Sequence, residues 1–331
     1  MTILKRAAAV LVATCSLTVS SAYAETLRIA QGFGILFAPI HIMKEAELLE
    51  KHAQEAGVDL TAEWLTFPSG GAVTDALLSN NVDIVAAGVS NMLILWDRSN
   101  ERVKAISAIS GTNSVLVTKD PDVKSLADFT ETHRISVPTI KMSNQAVYLA
   151  MALEEEFGDH EKFDSMMVQL GHADGMQAML TPNGPIQAQF AGPPFYQELL
   201  AREDMHAVTS TMEIAGPATN LLAFTTTNFH DKNSNLVDIF LNALKEANAM
   251  IHEDPLNAAK LYLASSGDSF KAEDIAEQFF DEGNVFQIMP YGVQKTAAFM
   301  GRVGLIQRQP ESWREFFFEN LDGMDGIDDA N

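Results

Sequence analysis

Residues 67–90 read FPSGGAVTDALLSNNVDIVAAGVS and decide the fold. The small residues 69–71 predict a turn, and apolar residues then recur at helical spacing up to a pair of asparagines. The apolar run 82–87 is typical of a parallel strand that is covered on both faces. Residues 88–90 predict a second turn into a second helix. Small residues at such turns let a ligand approach the backbone N–H groups at a helix start.

The same alternation of strand and helix extends in both directions from this stretch. Strands are predicted at 26–30, 60–65, 82–87 and 103–109, with a helix from Pro39 to near Gly57. A second unit follows, with strands predicted at 114–118, 134–137, 166–170 and 186–190 and helices at 143–158 and 174–180. Such an order predicts mostly parallel sheets flanked by helices.

The last third of the chain is predicted to return to the first unit. Residues 220–226 form a strand that crosses back, and helices follow at 235–253, 255–265, 272–282, 291–303 and 311–318. The predicted fold class is therefore α/β with two lobes, each a mostly parallel sheet flanked by helices, joined by two crossover strands. Lobe 1 comprises 25–112 and 218–331, and lobe 2 comprises 113–217.

The N-terminus has the features of a secretory signal. Lys5 and Arg6 precede an apolar run at 7–19, and the sequence of residues 22–24, AYA, fits a small-x-small cleavage site. We therefore expect a signal peptide at 1–24, cleavage after Ala24 and export to the periplasm. The alternative is a lipoprotein anchored through Cys15, which the preceding residues fit poorly.

Composition excludes several classes of function. The net charge of −22 at pH 7 repels nucleic acid and anionic lipid, so no nucleic-acid partner is expected. The single cysteine lies in the signal, so the mature chain would have no disulfide, thiol nucleophile or thiolate metal site.

Six stretches carry a family resemblance. They are TLRIAQGFG (26–34), APIHIMKEAELLEKHAQEAG (38–57), FPSGGAVTDALLSNNVDIVAAG (67–88), SLADFTETHRISVP (125–138), AGPPF (191–195) and FTTTNFHDKN (224–233). With these residues the chain resembles the periplasmic solute-binding proteins of the nitrate/taurine/alkanesulfonate class of ABC importers. It departs from the sulfonate binders at 190–194, FAGPP, where a tryptophan-bearing segment is common.

The resemblance implies a type II periplasmic-binding-protein fold, with the ligand in the cleft between two lobes. It implies a monomer that delivers its ligand to an ABC permease and its ATPase. Receptors of this class bind taurine, alkane- and arylsulfonates, nitrate, bicarbonate, aromatic carboxylates or thiamine-pyrimidine precursors. For this chain we expect a small anionic organic molecule, sulfonate-like, taurine-like or an aromatic carboxylate.

The predicted ligand-binding residues lie at strand ends and helix starts. Three helix starts would offer N–H groups and polar side chains, and the turns after two strands would add aromatic walls. The candidates are Gly32, Phe33, Phe37, Phe67, Ser69, Gly70, Ser90, Asn91, Ser143, Asn144, Gly192, Pro193 and Phe195. For some the alternatives stay open: Ser69 as a helix cap, Phe37 as core, and Gly192–Pro193 as a rigid turn.

Two other functions are alternatives to binding for import. A fungal enzyme that builds the thiamine pyrimidine shares this fold, but it carries a cysteine-rich motif that the mature chain lacks. We expect no catalytic residue, no cofactor and no metal, since His172 and Asp174 alone are too few ligands. A ligand-presenting module for a chemoreceptor is the other alternative.

Overall fold

The computed structural model describes residues 24–67 and 70–321. Ten strands are found in that part of the chain: β1 Glu25–Gln31, β2 Leu60–Thr66, β3 Ile84–Gly88, β4 Val103–Ser110, β5 Val115–Thr118, β6 Ile135–Val137, β7 Met167–Gln169, β8 Ala188–Ala191, β9 His206–Ser210 and β10 Leu221–Thr226. The signal peptide, apart from Ala24, and Ser69 lie outside the described residues, as does the acidic segment 322–331.

Thirteen α-helices lie in the same described part. They are α1 Ala38–Glu45, α2 Leu48–Glu55, α3 Gly70–Leu78, α4 Val89–Arg98, α5 Asn144–Phe157, α6 His172–Leu180, α7 Phe195–Leu200, α8 Thr211–Ala215, α9 Thr227–Lys232, α10 Ser234–Glu253, α11 Pro255–Ser266, α12 Ala272–Gln278 and α13 Val293–Arg302. None of these described helices combines the length and apolar character that crossing a membrane requires.

The strands form two five-stranded sheets of the same design. The first has the order β2-β1-β3-β10-β4 and the second β7-β6-β8-β5-β9. In each sheet the strand in fourth position runs antiparallel to both neighbours, and the pairs among the first three strands are parallel. The predicted fold class, two α/β lobes with mostly parallel sheets, is confirmed.

In each sheet, the antiparallel strand is the first one that the chain forms after it leaves the other sheet. The first connection, residues 111–114, joins β4 to β5, and the second connection, residues 216–220, joins α8 to β10. The two connections run side by side. Asn220 links them: its N–H donates to Ser110 O at 2.9 Å, and its side-chain oxygen accepts from the N–H of Thr112 at 2.5 Å.

The first sheet with its helices is called the first half of the molecule, and the second sheet with its helices the second half. The apolar core continues from one half into the other. Trp96 of α4, Tyr148 of α5, Met300 of α13 and Phe316 belong to one cluster of buried side chains. A second cluster lies on the other face of the first sheet, where α1, α2, α10 and α11 cover the sheet and Phe240 of α10 shares the cluster with Ile29 of β1. Helix α13 therefore packs on both halves, beside the connections.

Several local predictions were wrong. The predicted helix from Pro39 to near Gly57 is two helices, because Glu47 adopts a left-handed conformation with φ of 50°. The short elements α7, α8, α9 and β9 were missed, and the helix predicted at 311–318 is a single 3-10 turn at Trp313–Phe316.

Candidate functional site

A cavity of about 80 Å³ lies between the two halves of the molecule. It is bounded by the loop after β1, the C-terminal end of β3, and the starts of α4, α5 and α6. Its volume suits a compact molecule of several non-hydrogen atoms, since one water needs about 10–15 Å³ by this measure. The lining residues are Gly32, Phe33, Leu36, Phe37, Phe67, Val73, Ala86, Ala87, Gly88, Asn91, Pro138, Ser143, Asn144, Gln145, His172 and Leu221.

Seven of the predicted site residues line this cavity. They are Gly32, Phe33, Phe37, Phe67, Asn91, Ser143 and Asn144. Gly70 begins α3, Ser90 lies in the first turn of α4, and the 192–195 turn borders the cavity without lining it. The lining residues that the sequence did not predict are mainly apolar, apart from Gln145 and His172.

The start of α5 presents polar groups to the cavity. Ser143 caps the helix by accepting a hydrogen bond from the N–H of Ala146 at 3.3 Å. The backbone N–H groups of Asn144 and Gln145 donate to no acceptor among the described residues. Because a helix N-terminus is positive, this 14-residue helix favours an anionic or strongly dipolar group at the cavity.

Ser90 and the Asn144 side chain are engaged with each other across the cleft. The Asn144 side-chain oxygen accepts from Ser90 N at 3.1 Å and lies 2.8 Å from Ser90 Oγ, which is also 2.7 Å from Met142 O. Asn144 Nδ2 donates to Asn220 O at 2.5 Å. The Ser90 hydroxyl therefore donates its hydrogen bond within the protein and is not available as a donor to a ligand in the cavity.

Asn91 is a buried donor without a partner. Its side chain is 3% exposed, lines the cavity, and its Nδ2 has no hydrogen-bond partner among the described residues. An unpaired buried amide is costly, so a ligand that accepts from it would recover that free energy.

His172, which the sequence singled out only as a weak metal ligand, lines the cavity from the second half. Its Nδ1 accepts from the N–H of Gly192 at 3.3 Å, and its ring stacks on Phe195 with centroids 5.8 Å apart. Burial lowers the pKa of His172 to about 4, so the ring is neutral at neutral pH. One signal could have found it: His172 opens a helix just after a parallel strand, like the other helix starts.

Aromatic side chains form one wall, and the turn at 192–195 supports it. Phe33 is 41% exposed and sits at the mouth, while Gly32 packs so tightly on Phe37 that an added Cβ would lie 2.5 Å from its ring. The N–H of Ile35 donates to Pro193 O at 3.1 Å, which joins the loop after β1 to the second half. Gly192 and Pro193 therefore act at the edge of the cavity.

No Asp, Glu, Lys or Arg side chain lines the cavity among the described residues. Lys141, two residues before Ser143 in the sequence, pairs with Glu161 at 2.8 Å and Asp164 at 2.6 Å. Hydrogen bonds to these two carboxylates raise the pKa of Lys141. Any charge on a ligand is thus met here by neutral donors and helix ends.

The sequence matches one family model over most of its length. The model of the NMT1-like family matches residues 22–264. A comparison of the sequence with curated proteins finds no match.

Several solved structures share the fold. The periplasmic aliphatic sulphonate-binding protein of Escherichia coli superposes with a TM-score of 0.66 at 18% identity, covering 90% of this chain and 99% of that one. The alkanesulfonate-binding protein of Xanthomonas axonopodis pv. citri, bound to MOPS, gives 0.68 at 17% identity, covering 87% and 96%. The periplasmic nitrate-binding protein of Synechocystis PCC 6803 gives 0.65 at 13% identity, covering 86% and 82%.

Proposed function

Because the chain belongs to the NMT1-like family and has the fold of periplasmic binding proteins, we propose that it is an extracytoplasmic solute-binding protein. It captures a small organic molecule in the cleft and delivers it to an ABC permease and its ATPase. The observation that carries the proposal is one cavity lined by both halves of the molecule, with donors from each. The structural neighbours are binding proteins, not enzymes, in keeping with this assignment.

The ligand we propose has an anionic or strongly dipolar head and a small apolar body. The head accepts from the N–H groups of Asn144 and Gln145 at the start of α5, and the body packs on Phe37 and Phe67. A taurine-like or other small sulfonate, or a compact aromatic carboxylate, meets both requirements. Each hydrogen bond to a charged group contributes about 1.5–3 kcal/mol, so two or three reach micromolar affinity with an apolar contact added.

A second candidate ligand is an uncharged heteroaromatic molecule such as a thiamine-pyrimidine precursor. It is favoured by one observation, that the described lining of the cavity holds no charged side chain but several aromatic rings. A planar ring between Phe33, Phe37 and Phe67 would stack, and its ring nitrogens would accept from Asn91. Presentation of the ligand to a chemoreceptor is the alternative to import.

The rest of the assignment follows from the same proposal. The lobes are 25–112 with 218–331, and 113–217, and they close by rotation about the two connections. The signal peptide is cleaved after Ala24, and the mature protein works in the periplasm as a monomer.

Native mass spectrometry of the protein purified from the exported fraction tests the proposal. We expect a co-purified small molecule bound at one copy per chain. The intact mass of the protein should be that of a chain that begins at Glu25. Calorimetry then measures the affinity of that molecule, or of taurine, nitrate and benzoate. Lys141→Gln, which changes a paired surface charge, serves as the matched control and should bind like the parent.

Two results would overturn parts of the proposal. If the double variant Asn91→Leu, Ser143→Asp bound the molecule with the affinity of the parent, the binding site would lie outside this cavity. Chemical turnover of the bound molecule by the purified protein would replace the transport assignment with an enzymatic one.

A further inference from the structure

The imidazole of His172 is held in one orientation by its surroundings. Phe195 stacks against one face, with the two ring planes 9° apart. The backbone N–H of Gly192 donates to Nδ1 at 3.3 Å, and the backbone oxygen of His172 itself accepts from Gln189 Nε2 at 2.9 Å. Ring and backbone are thus fixed by three separate contacts within the second half of the molecule.

These contacts determine which ring nitrogen carries the proton. Since Nδ1 accepts a hydrogen bond from Gly192, the proton of the neutral imidazole lies on Nε2. Nε2 has no hydrogen-bond partner among the described residues. His172 lines the cavity, so a molecule bound there lies beside a ring whose Nε2–H has no protein partner among the described residues.

We propose that His172 determines ligand specificity by donating its Nε2–H to an acceptor atom of the bound molecule. The inference rests on the proposed function and adds the chemistry of the ligand. Asn91, from the first half of the molecule, offers a second side-chain donor at the cavity lining that has no partner among the described residues. The ligand therefore carries at least two hydrogen-bond acceptor atoms, and one molecule bridges donors from both halves.

The donor that His172 offers is a neutral N–H group. The site discriminates by the presence of an acceptor atom, because a molecule without it would leave the Nε2–H of His172 buried and unpaired. Burial lowers the pKa of the ring to about 4, and the donor therefore stays uncharged through the neutral range. Sulfonate and carboxylate oxygens and pyrimidine nitrogens all satisfy such a donor.

Two substitutions separate the donor from the structural contact. In His172→Asn the side-chain oxygen can take the place of Nδ1 and accept from Gly192, but the donor at Nε2 is lost. In His172→Gln the amide nitrogen reaches the place of Nε2, while the Gly192 contact is lost. The asparagine variant should therefore keep the stability of the parent but lose affinity for the ligand. The glutamine variant should keep the affinity but lose stability.

Calorimetry with taurine, nitrate and benzoate as probes, and urea denaturation without a probe, measure the two effects. For the probe that binds the parent, we expect His172→Asn to weaken binding by about tenfold or more and His172→Gln by less than about threefold. Equal binding by the parent and His172→Asn would overturn the inference. Failure of every probe to bind the parent would instead count against the proposed ligand class.

Nitrogen-15 NMR of the histidine rings provides a test that needs no ligand. The inference requires the tautomer with the proton on Nε2 of His172, identified by the loss of its signals in His172→Gln. A ring protonated on Nδ1 would overturn the assignment whatever the ligand is.

Discussion

The side-chain oxygen of Asn144 accepts a hydrogen bond from the backbone N–H of Ser90 at 3.1 Å and lies 2.8 Å from the Ser90 hydroxyl. The two residues are 54 positions apart and open helices in different halves of the molecule. The amide nitrogen of Asn144 completes the contact by donating to Asn220 O. The carboxamide therefore fastens the start of α5 to α4 and to the second connection, beside the cavity.

Asn144→Asp should weaken this contact selectively. The carboxylate keeps both acceptor contacts with Ser90 but turns an oxygen toward Asn220 O, where the amide donated. We expect the free energy of unfolding to fall by about 1–3 kcal/mol, against about 1 kcal/mol for Ser90→Ala. Urea denaturation measures both, and small-angle scattering should show a larger radius of gyration for Asn144→Asp. A variant as stable and compact as the parent would contradict the role given to this amide.

Gly111→Ala should destabilise the two connections. An added Cβ would lie 2.5 Å from Ala218 O and would collide with the Tyr291 hydroxyl. Both neighbours are buried, so the connections must move apart, at a cost of about 1–3 kcal/mol or more in the free energy of unfolding. Gly192→Ala is the control for stability, because its Cβ would meet no atom closer than 3.6 Å. Equal urea midpoints for the two variants would count against this prediction.

Local patterns predicted most of the fold because strand and helix signals here are strong and short-range. The apolar run in 82–87 and the helix start at Ser143 needed no tertiary information. The break at Glu47 could not be predicted in this way, because no glycine or proline marks it and a non-glycine residue rarely adopts the left-handed conformation found there. The strand β9, HAVTS, is too short and polar to stand out.

The candidate site was predictable in its location more than in its contacts. The pattern of strand ends and helix starts leads to Asn91 and Ser143, and both line the cavity. The mutual contact of Ser90 and Asn144 depends on how the two halves meet, which no local pattern contains. Lys141 is near Ser143 in sequence, but its backbone φ of 61° and its two carboxylate partners hold it elsewhere.

Acid should destabilise the protein partly through His41. This ring is 2% exposed, with Nε2 3.0 Å from Gly32 O and Nδ1 3.0 Å from Ser265 Oγ, and burial lowers its pKa to about 4. An unfolded histidine titrates near 6.5, so the unfolded state binds more protons between about pH 6.5 and 4. Stability is therefore fully present above about pH 6.5, and on the order of 3 kcal/mol is lost as the pH falls to 4.

His41→Gln removes this titration while keeping a donor for Gly32 O. Urea denaturation of parent and variant at intervals from pH 4 to 7 gives a difference curve in which carboxylates common to both cancel. We expect the difference in unfolding free energy to change across that range in the direction that favours the variant in acid. A flat difference curve would contradict the low pKa assigned to the buried ring.

Ser143→Asp should separate stability from binding at the start of α5. Aspartate can still accept from the N–H of Ala146, and a negative charge at a helix N-terminus contributes about 0.3–1 kcal/mol, so the variant should be as stable as the parent. The same charge occupies the place where the N–H groups of Asn144 and Gln145 meet the proposed anion. Calorimetry should therefore show binding nearly abolished, whereas Ser143→Ala weakens it by about tenfold.

Ser143→Asn is the matched control for that experiment, because it keeps a capping oxygen without the charge. Its affinity should lie close to that of the parent, since only like charge distinguishes it from Ser143→Asp. Lys141→Gln should bind like the parent as well, because Lys141 is paired with Glu161 and Asp164. If Ser143→Asp binds as tightly as Ser143→Asn, the ligand carries no negative charge at this helix, and the uncharged heteroaromatic candidate becomes the better assignment.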